Sequence, residues 1–165
     1  MKKLTNHSEK TRMLVRAALF VALIFVATLL HVNIGPSGYV HLGDSFTLLS
    51  ALLLPMPWAA GAAGLGSAMA DVVSGWPMYS PFTFVIKALM AITAYVILRH
   101  VSSTKRLLWA AGAGAVILVV GYFFSDAMVL ADYKWPNLPA NVLQAIAGQS
   151  VGVVLCLFVN KDRAF

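Results

Sequence analysis

The residues able to do chemistry are few, and most sit where a membrane protein can least tolerate them. Asp44, Asp71, Lys87 and Asp126 each fall inside or at the edge of a long apolar run. An ionisable group near the centre of a spanning helix costs roughly 2.5 to 3.5 kcal/mol unless it is paired or wet. Ser67, Asp71 and Ser74 recur at spacings of four and three, as do Asn137, Asn141 and Gln144, so each trio shares one helix face. Two aromatic-rich loops accompany them. One carries Tyr39 and His41, the other Trp76 and Tyr79 together with Pro77 and Pro81. Rings with polar tips and a few charged groups suit a small, flat, hydroxylated or heteroaromatic ligand.

Binding fits these residues better than catalysis. The stretch Gly64-Leu65-Gly66-Ser67-Ala68 faintly suggests an intramembrane serine nucleophile, but no histidine lies in a span to act as its base. There is no Gly-x-x-x-x-Gly-Lys-Ser/Thr phosphate loop and no His-Glu-x-x-His pair, so neither ATP coupling nor zinc chemistry is expected through those motifs. Cys156 is the single cysteine, in an apolar stretch, and reads as a packing residue with no disulfide and no metal site.

The elements that must position these groups follow from composition. Of 165 residues, 60% are hydrophobic and 11% charged, with a mean hydropathy of +0.82. Soluble domains carry about 25% charged residues, so a water-soluble globule is excluded. The predicted fold is an all-α integral membrane bundle of six transmembrane helices in a single domain, residues 1–165. The expected spans are 13–30, 43–54 (short, ending at Pro55-Met56-Pro57), 58–74, 82–98, 107–130 and 138–159. The first is a retained helix, not a cleaved signal peptide. Trp58, Trp109 and Trp135 are expected as interface anchors.

The net charge of +6 does not indicate nucleic acid. Its cations gather at the amino end (Lys2, Lys3, Lys10, Arg12, Arg16), between spans four and five (Arg99, Lys105, Arg106) and at the carboxyl end (Lys161, Arg163). Six spans put all three places on one side, and the enrichment of Lys and Arg in cytoplasmic segments makes that side, with both termini, cytoplasmic. Asp44, Asp71 and Asp126 then fall in the outer half, with Lys87 about 9 Å below the outer start of its span. The expectation is a cup open to the outside, closed towards the cytoplasm by apolar packing.

Second readings stay open at several positions. Lys87 is either a pocket residue or the counter-ion of Asp71 or Asp126, and Asp44 either a pocket residue or an N-cap. Tyr39 and His41 could be interfacial residues, and Asn141 and Gln144 could join helices. A proton-coupled secondary transporter relaying through Asp71 or Asp126 is the alternative function. Such carriers need polar groups past the midplane, and few are present.

Three strings together carry a family resemblance: Gly38-Tyr-Val-His-Leu-Gly-Asp44, Gly66-Ser-Ala-Met-Ala-Asp71, and Pro81 to Lys87 leading into span four. With the six short spans and cytoplasmic ends, the chain resembles, over essentially its whole length, the substrate-binding S components of energy-coupling factor (ECF) vitamin transporters. It is most similar to the branch associated with hydroxymethylpyrimidine or vitamin B6 compounds, and riboflavin-type sequences are similar as well. The resemblance implies a non-enzymatic subunit that captures a vitamin from outside, with no cofactor of its own. Its implied partners are a transmembrane coupling protein and two cytoplasmic ATPase subunits. It also implies that Ala18 and Ala22, an Ala-x-x-x-Ala pattern, contact the coupling protein; small residues four apart let another helix approach closely, though internal packing would use the same pattern. Candidate substrate-binding residues are Tyr39, His41, Asp44, Asp71, Trp76, Tyr79, Lys87, Asp126, Asn141 and Gln144.

Overall fold

A computed structural model of the chain describes residues 2–34, 38–101, 105–129 and 137–161. Leu130 at the predicted end of span five, Trp135 with its loop, and Arg163 lie outside the described residues. Six helices and one hairpin follow in the order α1 (Lys2–Leu29), β1 (His31–Ile34), β2 (Gly38–His41), α2 (Gly43–Leu53), α3 (Met56–Val73), α4 (Ser80–His100), α5 (Arg106–Val129) and α6 (Leu138–Lys161). Four of them, α1 from Ser8 onwards and α4, α5 and α6, are long and apolar enough to cross a membrane.

Local sequence explains most boundaries. α2 stops at Leu54, whose extended backbone (φ −108°, ψ 155°) is what a residue before proline favours. Prolines lie in the first turns of α3 and α4, where their missing N–H costs no helix bond. Between α3 and α4 the chain reverses through Gly75 at φ 87°, a left-handed conformation that glycine adopts without strain. α1 differs from expectation by starting at Lys2 instead of Met13, because nothing in the basic amino end breaks a helix.

The hairpin is the element that the all-helical expectation lacked. Its strands pair antiparallel with His31 opposite His41, Val32 opposite Val40, and Asn33 opposite Tyr39. Paired residues share a face and neighbours along a strand alternate, so Tyr39 and His41 stand together while Val40 turns away. The ring of Tyr39 lies 4.6 Å from that of His31 and 5.6 Å from that of His41.

α2 holds the centre. At 11 residues it spans about 16 Å, short of the roughly 30 Å hydrocarbon core. All of it except Phe46, Leu52 and Leu53 is buried, against α1, α3, α4 and α6. Its hydroxyls are satisfied inside the protein: Ser45 Oγ donates to the Gly148 carbonyl at 2.8 Å and Ser50 Oγ to the Thr47 carbonyl at 2.7 Å. A short polar segment is tolerated at membrane depth when protein, not lipid, surrounds it.

Small residues draw the other helices in. A Cβ on Gly66 would lie 2.8 Å from the Val21 carbonyl oxygen, so α1 and α3 can touch backbone to backbone there. Ala59, Ala62, Ala63 and Ala91 pack with Ile24, Leu48 and Leu54 in the main core. Outside, Leu108, Val116, Val120 and Phe124 of α5 and Ile146, Val154, Leu157 and Phe158 of α6 are exposed. An apolar surface of this extent belongs in lipid.

Candidate functional site

One end of the bundle encloses a cavity of about 60 Å³. The hairpin supplies Tyr39 and His41, the last turn of α3 Asp71, the α3–α4 turn Trp76 and Tyr79, the end of α5 Tyr122 and Asp126, and the start of α6 Asn137, Asn141 and Gln144. The described cations Arg99 and Arg106 belong to the opposite ends of α4 and α5. The acidic and basic ends of the molecule are therefore separate.

The acids are held in a repeated arrangement. The Tyr39 hydroxyl donates to Asp71 Oδ1 at 3.1 Å, and the Tyr79 hydroxyl to Asp126 Oδ1 at 2.9 Å. Burial, and then the adjacent carboxylate, raises the pKa of both tyrosines, so both stay protonated and stay donors. The second oxygens, Asp71 Oδ2 and Asp126 Oδ2, are buried with no hydrogen bond of ordinary geometry. The Asn137 and Asn141 amides stand close to Asp126. The Tyr122 hydroxyl meets Thr83 Oγ1 at 3.0 Å, and the Trp76 ring packs edge-on to Tyr79 with centroids 6.2 Å apart.

Behind the lining lies a connected network of buried polar groups. Gln144 Oε1 accepts from the His41 backbone N–H at 2.7 Å, while its Nε2 donates to the His41 carbonyl at 3.1 Å and to Asp44 Oδ2 at 2.6 Å. Asp44 Oδ1 binds Lys87 Nζ at 2.5 Å, and both side chains are fully buried, at 0% and 1% exposure. Lys87 Nζ also sits 5.5 Å from the Tyr122 ring centroid. His41 Nδ1 accepts the Gly43 N–H at 3.0 Å, which places the ring proton on Nε2. Burial pushes the His41 pKa down to about 4, so the ring is neutral.

Eight of the ten expected residues line the cavity: Tyr39, His41, Asp71, Trp76, Tyr79, Asp126, Asn141 and Gln144. Asp44 and Lys87 do not; they are sealed against each other one bond behind it. Lys87 thus pairs with Asp44, not with Asp71 or Asp126. Asp44 makes no cap bond, since α2 has no side-chain N-cap. Tyr122 and Asn137 also line the cavity; Tyr122 was not singled out, and Asn137 was placed on one helix face with Asn141 and Gln144 but not in the substrate-binding set. Each stands four residues before a recognised one, Asp126 and Asn141, and that spacing was the available signal. Ala18 and Ala22 lie on the exposed side of α1, with Ala17, Phe20 and Ile24 turned inward. Ser67 is buried, and its hydroxyl has no hydrogen-bond partner.

A lipid-embedded helical bundle with a polar cup at one end is the form of a membrane-borne substrate-binding subunit. The chain belongs to the ECF-type riboflavin transporter S component family, whose model matches residues 8–161. It is 31% identical over 129 residues to a Pyrococcus woesei protein described as an uncharacterized protein in a gap 3′ region, a match covering 75% of this chain and 84% of that one. Its fold is similar to that of the S component of a bacterial ECF transporter, with a TM-score of 0.75 at 18% identity over 92% of this chain and 97% of the other. The protein is therefore a multi-pass cell-membrane S component, a substrate-binding transport subunit and not an enzyme. S components in general work with a transmembrane coupling protein and ATPase subunits.

Proposed function

We propose that this S component captures a single-ring nitrogen heteroaromatic vitamin or precursor, of the pyridoxine, pyridoxamine or hydroxymethylpyrimidine kind, from the outer side of the membrane. The cavity carries this reading. Its sheltered space of about 60 Å³ is small, so one substituted ring seated at the open mouth fits it more readily than the three fused rings of riboflavin. Trp76, Tyr79, Tyr39 and Tyr122 supply faces and edges for stacking. Asp71, Asp126, Asn137 and Asn141 supply convergent polar groups for ring substituents. The basic residues opposite the cup, read with the cytoplasmic enrichment of Lys and Arg, turn its mouth outward. The vitamin is cargo on this reading, not a cofactor.

A proton-coupled carrier is less well supported. Below the cup lie the closed Asp44–Lys87 pair and a cluster of Thr47, Leu48, Met90, Ala94 and Gln149, and among the described residues of that cluster none is titratable.

Purified protein in detergent is expected to bind pyridoxine, pyridoxamine or hydroxymethylpyrimidine in equilibrium titration. It should also release such a compound, identifiable by mass spectrometry, when denatured after expression. Binding of riboflavin alone would replace the single-ring reading with the tricyclic one; no affinity for any of these compounds would remove the vitamin reading for this pocket.

Partner contact is assigned in the same proposal to the outward face of α1. Replacing both Ala18 and Ala22 by leucine is expected to leave ligand affinity unchanged while preventing co-purification with the coupling protein and ATPases, because leucine fills the groove that a second helix would enter. Undiminished assembly would show that another surface makes the contact.

A further inference from the structure

We propose that the pocket takes its ligand as a cation, a small basic heterocycle or aminomethyl-substituted ring whose N–H groups are shared between Asp71 and Asp126. This rests on the vitamin-binding reading above and adds the charge of the bound form.

Two observations carry it. The first is the pair of under-bonded oxygens: Asp71 and Asp126 are each only 2% exposed, each has one oxygen occupied by a tyrosine hydroxyl, and each leaves Oδ2 without a hydrogen bond of ordinary geometry, the Thr83 hydroxyl standing near Asp71 and the Asn137 and Asn141 amides near Asp126. Buried acceptors are rarely left empty in a completed site, and both line one cavity. The second is the absence, among the described residues, of a cation on the cavity wall. Lys87 is neutralised by Asp44 behind the lining, and His41 is neutral with its Nδ1 occupied by the Gly43 N–H.

The remaining groups facing the acids do not change the balance. Tyr39 and Tyr79 are already donating to them, Tyr122 is engaged with Thr83, and Asn137 and Asn141 are uncharged. His31, beyond Tyr39, stacks on the tyrosine ring. Charge-assisted N–H bonds to carboxylate are about twice as strong as neutral ones, and burial of both acids weakens their screening. Among the described residues, an anionic ligand would meet two acids and no free counter-charge.

The pH dependence follows in sign. A cationic ligand needs ionised acids, so its affinity falls as pH drops and these carboxylates take up protons. It falls again above the ligand's own amine pKa, giving a bell. A neutral ligand would show no upper limb.

The test compares pyridoxamine, whose side arm is an ammonium, with pyridoxine, which has a hydroxyl there, and with uncharged riboflavin, by calorimetric titration of the full chain in detergent. Pyridoxamine is expected to bind at least tenfold tighter than pyridoxine at neutral pH, with a bell-shaped pH profile. Asp71→Asn or Asp126→Asn should reduce that preference by roughly ten- to a hundredfold, with thermal melting confirming that each variant is folded. Equal or tighter binding of pyridoxine or riboflavin by the unaltered protein would overturn the cation assignment while leaving the vitamin-binding reading intact. Failure of all three ligands to bind would overturn the cation assignment, and failure of hydroxymethylpyrimidine as well would overturn the vitamin-binding reading with it.

Discussion

Lys87→Met is expected to destabilise the bundle by about 3–5 kcal/mol, the cost typical of removing one partner from a buried ion pair. Methionine matches the length of the lysine stem, so little packing is lost. The damage is to Asp44, which is wholly buried and keeps only the Gln144 amide as a donor. Because the pair itself adds little net stability over uncharged residues, the double variant Lys87→Met with Asp44→Asn should recover most of the loss. Thermal unfolding of the four proteins in one detergent forms the cycle. A single variant as stable as its parent, or a double variant no better than the single, would mean that the ion pair does not hold these helices.

Gln144→Leu should have the second largest effect, and a more local one. It strips partners from the His41 N–H, the His41 carbonyl and Asp44 Oδ2 together. Each buried group left unsatisfied costs about 1–3 kcal/mol, so with three such groups at the lower end of that range a loss of about 3 kcal/mol is expected. The site of the loss is diagnostic. Gln144 ties β2 to α6 across 103 residues of sequence, so amide exchange should accelerate at residues 39–41 more than in α4 or α5. Ligand affinity should fall with it, since Tyr39 rides on the same strand and holds Asp71 in place. Unchanged exchange in the hairpin would show that the strand is held by its own pairing instead.

Both predictions concern contacts that a linear reading could not assign. The amphipathic spacing that groups Asn137, Asn141 and Gln144 was visible, and it brought two of those amides beside Asp126 while sending the third to the hairpin. Spacing gives a helix face but not the neighbour that it meets. The hairpin was missed for a related reason. Four-residue strands give only two turns of alternation, and Tyr39-Val40-His41 reads equally well as a loop until Val32 and Asn33 are paired across from it. Tyr122 was overlooked because a tyrosine among Phe123 and Phe124 resembles ordinary lipid-facing aromatic content, and only its position one turn before Asp126 distinguishes it.

By itself the sequence determined the membrane class, the helical content and the end at which the polar groups collect. Hydropathy, helical rise and the positions of lysine and arginine are properties of single segments and need no partner to be read. Tertiary structure alone decided that Lys87 neutralises Asp44, that α2 is an enclosed central post, and that Asp71 and Asp126 each give one oxygen to a tyrosine hydroxyl and keep the other without a hydrogen bond of ordinary geometry. Those outcomes depend on which helices are adjacent, and a charge buried in low dielectric is governed by whatever lies within a few ångströms of it, however far away along the chain.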